Sequence, residues 1–516
     1  MVYDIRSFGA AADGITNDAA AIQAAADACV DAGSGTVLIP AGRYVTSSVR
    51  LYSNTTVRIE AGAELLLESS EDAYGKLRGK YDQLYTRDAA TLLNLPEGTE
   101  LGYIKGMFLG GRRGHTDNLF YAKDAENILI EGGGVLNGQW RKFFEPQPDL
   151  SHLRKPRWLR SSDEAKFTPK IFRPQFIYMQ DCKNIRIRNL SLLNCPFFNI
   201  RITDSEHICC ENLNILADKR CLNTDGINLA GCRHCVITGC HIVTGDDCIA
   251  ISSGEMPPRR YSAEDIIVRD CIGNTKTNFV RIFIGLDVNV CLEEGIGSAD
   301  AVLAANAQAV RHIRITNCAL EEEGCTANIM AVYGKIEDIH IEDITVDQKG
   351  KAPMLFLAIQ KEGRIRDVTV NGLKGLGKGA VTVLGTSRES ISGLVFQNCR
   401  FRVEPASKLF VNGMPDPLEQ YWMYYLAPCN IYLRHATDVR FHDCEVEWGE
   451  ADIDDIYEIA DPTKRPEMYN AVWREDMGPF DTWPCIDAYD VDGLDIRNFR
   501  GEGFGGCEAV RKTAVK

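Results

Sequence analysis

Short runs of alternating apolar and polar residues recur along most of the chain. They include Asn184-Ile-Arg-Ile-Arg-Asn-Leu190, His234-Cys-Val-Ile-Thr-Gly-Cys240, Asp265-Ile-Ile-Val-Arg-Asp-Cys271 and His312-Ile-Arg-Ile-Thr-Asn-Cys318. The series continues through Asp338–Ile344, Gly393–Cys399, Asp438–Cys444 and Gly493–Phe499. Alternation with a period of two predicts strands. Each run closes on Asn, Asp or Gly, followed by Cys or another apolar residue. Where nothing is inserted, the spacing is mostly about 22 to 31 residues. One strand-bearing unit at that period predicts an all-β stacked solenoid, because a single coil cannot bury its apolar face alone. Earlier strands are expected at Thr36–Pro40, Thr56–Glu60 and Asn127–Ile130.

The N-terminal part follows a different rhythm. Asn17 to Ala32 is Ala-rich with apolar residues at helical spacing, and Gly33 follows. An Asn/Asp start and a Gly stop frame a helix over about 17–33, which we read as a cap over the open solenoid end. Three stretches, 68–122, 139–172 and 446–484, break the repeat and are expected as long decorating loops, the usual carriers of function on a rigid scaffold. The whole chain, 1–516, reads as one solenoid domain.

Composition narrows the function. Hydrophobic residues make up 45% and charged residues 25% of the 516, values of a globular protein. With 57 Lys+Arg against 72 Asp+Glu the net charge is −15, which argues against a nucleic-acid partner. No apolar run approaches the roughly 18 residues of a membrane span. The start, Met-Val-Tyr-Asp-Ile-Arg, lacks a basic segment followed by an apolar one, so a cytoplasmic location is expected. The 19 cysteines are odd in number and fit reduced thiols better than a disulfide scaffold. Cys240, Cys271, Cys318, Cys399 and Cys444 share one repeat position and are read as an inward stack of small side chains. Cys232 and Cys235 form a lone CxxC without a second pair, so no zinc site is expected. No phosphate-binding Gly-x-x-x-x-Gly-Lys motif is present, and no cofactor is expected.

The densest polar constellation is Asn223-Thr-Asp-Gly-Ile227 with Gly245-Asp-Asp-Cys-Ile-Ala-Ile251, about one coil apart. Stacked coils lie roughly 4.8 Å apart, so Asp225 should meet Asp246 or Asp247. Crowded carboxylates raise one another's pKa, which suits acid/base work. Spacing alone serves a ladder of turn-forming Asp and Asn equally well.

These motifs carry a resemblance. Phe8-Gly-Ala, Asp13-Gly, Asn17-Asp-Ala and Gly35-Thr-Val-Leu-Ile-Pro-Ala-Gly-Arg-Tyr44 look like the opening of pectin-type glycosidases. Asn223-Thr-Asp-Gly and Gly245-Asp-Asp-Cys-Ile-Ala-Ile resemble the central motifs of glycoside hydrolase family 28, the polygalacturonase family; Gly132–Gly138 and Pro196–Ile200 also match. The resemblance implies a right-handed parallel β-helix and hydrolysis with inversion. Asp246 then maps onto the general acid, and Asp225 and Asp247 onto the holders of the attacking water. Asn223 and Arg201, in or beside these motifs, join the substrate-binding candidates.

The sequence departs from the family in two places. The coil Cys271 to Gly285 lacks the family's Gly-His-Gly, and Asn328-Ile-Met330 stands where its Arg-Ile-Lys is expected. Lys276 or Arg281 could stand in for the missing cations. The segment 151–170 adds His152, Arg154, Lys155, Arg157, Arg160, Lys166 and Lys170 against Asp163 and Glu164. Such a basic segment suits an anionic sugar, with Trp158 as a stacking face; Trp473, next to Arg474, is a further aromatic candidate. The leading expectation is an exo-acting glycosidase on a pectin-derived uronide or related oligosaccharide. A β-helix lyase, an intramolecular fructotransferase and a non-catalytic sugar-binding solenoid remain as alternatives. Calcium on the Asp cluster and homo-oligomer formation are left open by the sequence.

Overall fold

A computed structural model of the chain describes residues 1–70, 72–74, 118–146, 167–169, 173–253, 262–285, 307–350, 352–359, 361–404, 430–450 and 483–514. These residues form two compact units, one reaching to Ile249 and the other starting at Ala250.

The first unit is a stack of coils with three parallel ladders. One ladder runs through Val2–Asp4, Gly35–Ile39, Thr55–Ile59, Glu126–Gly132, Lys183–Arg188, Glu206–Glu211 and Arg233–Thr238. A second runs from Asp13–Asn17 through Gly42–Thr46, Ala63–Leu67, Val135–Asn137, Ser191–Leu193 and Asn214–Leu216 to His241–Thr244. The third comprises Val49–Arg50, Asn118–Lys123, Gln175–Gln180, Ile200–Thr203 and Ile227–Ala230. Register places like on like. Ile128, Ile185, Ile208 and Cys235 form one inward column, and Ile130, Ile187, Cys210 and Ile237 the next, all buried. Each buried Ile contributes about 1.5–3 kcal/mol.

The second unit repeats the scheme, with some strands long enough to turn a corner. Ala309–Glu322 pairs with Lys335–Gln348 along its length. Asn278–Ile284, Cys325–Ala331, Leu355–Ile359 and Val381–Leu384 form another ladder.

The polar residues that frame each sequence repeat have a conformational reason. Asn127, Asn184, His207 and His234 in the first unit, and Asp265, His312, Asp338, Asp367 and Asp438 in the second, all have φ between 54° and 59°. The residues closing the runs, among them Asn189, Asn212, Gly239, Asp270, Asn317, Asn398, Asp443 and Asn498, also have positive φ. Left-handed backbone disfavours most side chains and tolerates Gly, Asn and Asp. The side chains then stack: Asn184 Nδ2 donates to Asn127 Oδ1 at 2.9 Å, and Asn127 Nδ2 to Asn54 Oδ1 at 2.8 Å.

The helix is Ala19–Asp31, and it packs Ala21, Ile22, Ala25, Ala26 and Cys29 inward against the first strands. Gly33, at φ 75°, ends it. The repeated cysteines point inward within each unit, as expected. Cys240, Cys271, Cys318, Cys399 and Cys444 are buried free thiols, each donating to a main-chain carbonyl. The expected loop boundaries need correction. Asn118–Lys123, assigned to a loop, is a coil strand, because its in-register neighbours supply the pairing that its weak alternation conceals. Phe144–Pro146 and Phe167–Pro169, inside the second expected loop, form an antiparallel pair. The third expected loop overlaps the strand Glu445–Trp448.

Asn184→Ala would place a Cβ-bearing, non-bonding residue at φ 56°. It should destabilise by about 1–2 kcal/mol, read as a lowered thermal midpoint. Asn184→Gly should recover part of that loss by removing the backbone strain alone.

Candidate active site

Three consecutive turns of the first unit meet at one point. The turn before Ile200–Thr203 is tied to the Asn223–Gly226 turn: Asn199 N and Asn199 Nδ2 both donate to the Asp225 carbonyl at 2.9 Å. That turn is tied in its own right to Gly245–Cys248. Gly226 N donates to the Asp247 carbonyl and Ile227 N to the Cys248 carbonyl, each at 2.9 Å, and Gly245 N donates to Thr224 Oγ1 at 2.9 Å. Thr244 Oγ1 closes the pair of aspartates by donating to the Asp246 carbonyl at 2.6 Å. Gly245 is required here, since a Cβ would overlap the Cys221 carbonyl.

This interlock gathers Asp225, Asp246 and Asp247. One carboxylate oxygen from each lies within 4.8 Å of the others. Asp225 and Asp247 are buried, at 5% and 1% exposure, and Asp246 is half-buried. Asn228 Nδ2 donates to Asp225 Oδ2 at 3.0 Å. Asn223 Nδ2 donates to Asp246 Oδ2 at 3.2 Å, and the Asp247 amide to Asp246 Oδ1 at 3.1 Å. Asn223 adopts φ 55°, a conformation Asn accepts more readily than most residues. Three oxygen donors at this spacing would also suit a hard divalent cation, and among the described residues no other group of three His, Cys, Asp or Glu has such a spacing.

Sequence reasoning missed Arg173, which lies behind the cluster. Its side chain is 1% exposed. It donates to the Leu222 carbonyl at 2.6 Å, to the Pro196 carbonyl at 3.5 Å and to Asn223 Oδ1 at 3.1 Å. The guanidinium carbon lies 4.6 Å from the Phe197 ring centre and 5.7 Å from that of Phe144. Burial pulls its pKa down to about 10, against the attraction of Cys221, Asp225, Asp246 and Cys195, so it stays a cation at neutral pH. Neighbouring Arg220 pairs with Asp218 at 2.6 Å and faces Trp140 and Phe167 at 5.6 and 5.1 Å. Burial opposes ionisation of Asp218, but hydrogen bonds from Arg220 outweigh it and hold that carboxyl below its ordinary range. The only sequence signal for Arg173 is a lone Arg-Pro ahead of an apolar strand, which does not announce a buried cation.

The other candidates divide. Arg201 lies on Ile200–Thr203, in register with Asn228 on one side and Tyr178 on the other. It is half-buried, with its guanidinium 5.0 Å from the Phe198 ring centre. Tyr178 stacks on Tyr121 at 6.0 Å. Lys276 and Arg281 belong to the second unit. Arg281 pairs in register with Asn328 and lies 4.5 Å over the Phe283 ring. Arg157, Trp158 and Trp473 lie outside the described residues.

Part of the chain is similar to known proteins. The family model "Glycosyl hydrolases family 28" matches residues 106–273, and "Rhamnogalacturonase A/epimerase, pectate lyase-like" matches residues 2–62. A probable polygalacturonase of Vitis vinifera is 28% identical over 255 residues, 48% of this chain and 43% of that protein, so the match spans less than half of the relative. The hyperthermoactive exopolygalacturonase of Thermotoga maritima superposes with a TM-score of 0.55 at 20% identity, covering 78% of this chain and 87% of that one. The family 28 exopolygalacturonase of Yersinia enterocolitica gives 0.55 at 14% identity, covering 100% and 77%. These two structures establish the fold as a right-handed parallel β-helix. Residues 106–273, including both aspartate motifs, are thus similar to glycoside hydrolase family 28.

Proposed function

We propose that this chain is a glycoside hydrolase that cleaves an oligosaccharide by attack of water, with inversion at the anomeric carbon. The observation that carries the reading is the Asp225–Asp246–Asp247 cluster, with two buried carboxylates beside one that reaches solvent. Three carboxylates this close repel one another when all are ionised, the setting in which a carboxyl group serves as an acid beside charged partners. Asp246, the most accessible, protonates the leaving oxygen. Asp225 and Asp247 hold and deprotonate the water. The nearest oxygens, within 4.8 Å, are closer than the roughly 6.5–9.5 Å between carboxyl groups of the usual inverting enzyme. Oxygen-to-oxygen distances run shorter than those between whole groups, and since retaining enzymes hold theirs roughly 5–5.5 Å apart, the anomer of the product is the deciding measurement. Here the water would sit against a pair of carboxylates rather than one.

Arg201 is our choice for the partner of a sugar carboxylate. It stands one strand from Asn228, which itself touches Asp225, and it supports a pectin-derived uronide as substrate. Exo action is part of the same proposal, supported by likeness to an exopolygalacturonase of Zea mays, 25% identical over 305 residues. A cytoplasmic site of action is also proposed; the described cysteines, all free thiols, support a reducing compartment.

Asp246→Asn should slow release of sugar about 10²-fold or more on a panel of saturated and unsaturated galacturonides, rhamnogalacturonan fragments and fructans. In 18O-labelled water the wild-type product should carry the label. Unlabelled product, or an unsaturated one absorbing near the ultraviolet edge, would favour elimination or transfer instead. Proton NMR of the fresh product should reveal the opposite anomer to the substrate; the same anomer would overturn the water-holding roles given to Asp225 and Asp247. Arg201→Gln should raise KM for a uronide about tenfold, the equivalent of one charge-assisted hydrogen bond, and leave a neutral oligosaccharide unaffected.

A further inference from the structure

We propose that Arg173 is a positioning residue that aims Asp246 through the carboxamide of Asn223. The inference rests on the hydrolase reading for its consequence, but its geometry stands independently. Arginine has donors and no acceptor. The Asn223 atom 3.1 Å from the Arg173 guanidinium is therefore the amide oxygen. The atom facing Asp246 Oδ2 at 3.2 Å is then necessarily the NH2 group. An isolated carboxamide could turn over and present its oxygen to the carboxyl; this one is held in a single sense by a fixed cation.

The cation is itself fixed. Its hydrogen bonds to the Leu222 and Pro196 carbonyls tie it to the turns on either side, and Phe197 and Phe144 line it with rings. Asp246 is held from its second oxygen by the Asp247 amide. With both oxygens engaged, the carboxyl cannot rotate about its last bond. Such fixation is what an acid needs to meet a leaving oxygen in one orientation. The charged and titratable groups that face this chain of contacts are Asp225 and Asp247 on the motif turns and Cys221 and Cys195 beside the guanidinium. Replacing Arg173 alone takes the donor from the Leu222 and Pro196 carbonyls and from Asn223 Oδ1, which lowers stability without in itself slowing the enzyme that remains folded. A purely structural arginine would thus leave turnover intact when replaced.

The test uses Arg173→Met, Arg173→Lys, Asn223→Ala and the double variant Arg173→Met/Asn223→Ala in the full chain. On the substrate found for wild type, Arg173→Met should lower kcat about tenfold or more while KM stays within about threefold. Arg173→Lys, which keeps a donor, should recover part of the loss. The double variant should be no slower than Asn223→Ala, because both act through one contact. Crystal structures of the two arginine variants supply an arm that needs no substrate. The Asn223–Asp246 contact should be lost or lengthened beyond hydrogen-bonding distance in Arg173→Met and kept in Arg173→Lys. Unchanged kcat with that contact intact, or losses that multiply in the double variant, would overturn the proposal. If Arg173→Met fails to fold, Arg173→Lys decides: wild-type kcat together with a displaced Asn223 overturns it. If wild type hydrolyses nothing on the panel, the hydrolase reading fails while the crystal structures still decide the role of Arg173.

Discussion

Hydrogen bonding between successive coils fixes a repeat of about 4.8 Å, and the candidate site follows from that one distance. Two motif turns locked by Gly226 N to Asp247 O and Gly245 N to Thr224 Oγ1 cannot move apart. Their carboxylates are thus held together despite repulsion. A globular loop would relieve the crowding by shifting. Here relief would require breaking a ladder that the coils of the unit share, so the three carboxyl groups stay close.

The same rigidity explains the composition of the turns. Coils can stack in register only if every corner turns alike, and each corner needs a residue tolerant of positive φ. Asn, Asp and Gly fill those positions, with His at His207, His234 and His312. Their side chains then bond along the stack, as Asn184 does to Asn127. The cysteines follow from the opposite demand. A small, weakly polar side chain fits where the column narrows, and its S–H reaches a carbonyl two residues back, as in Cys271 to Arg269 and Cys318 to Thr316.

Around the aspartates, three polar contacts link fixed side chains. Asn228 serves Asp225, Asn223 serves Asp246, and Arg173 serves Asn223. The cation lies one contact removed from the carboxylates. It attracts the carboxylates at a distance while a neutral amide makes the direct contact with Asp246.

Much of this was legible in the chain itself. Period-two alternation at Asn184–Leu190 or His312–Cys318, bounded by turn residues, indicates strands, and its recurrence at a short, near-constant spacing indicates a stacking repeat. The helix at Ala19–Asp31 and the pairing of Asp225 with Asp246 and Asp247 follow from local periodicity and from one coil of spacing. The strand Asn118–Lys123 was not legible, since its place is set by neighbours far along the chain. Nor were Arg173 and Arg201 distinguishable from any other arginine. Whether an arginine is solvated or buried behind an amide such as that of Asn223 depends on which coils lie above and below it. Local sequence determines the shape of a coil; only tertiary stacking decides which side chains of different coils come to share one site.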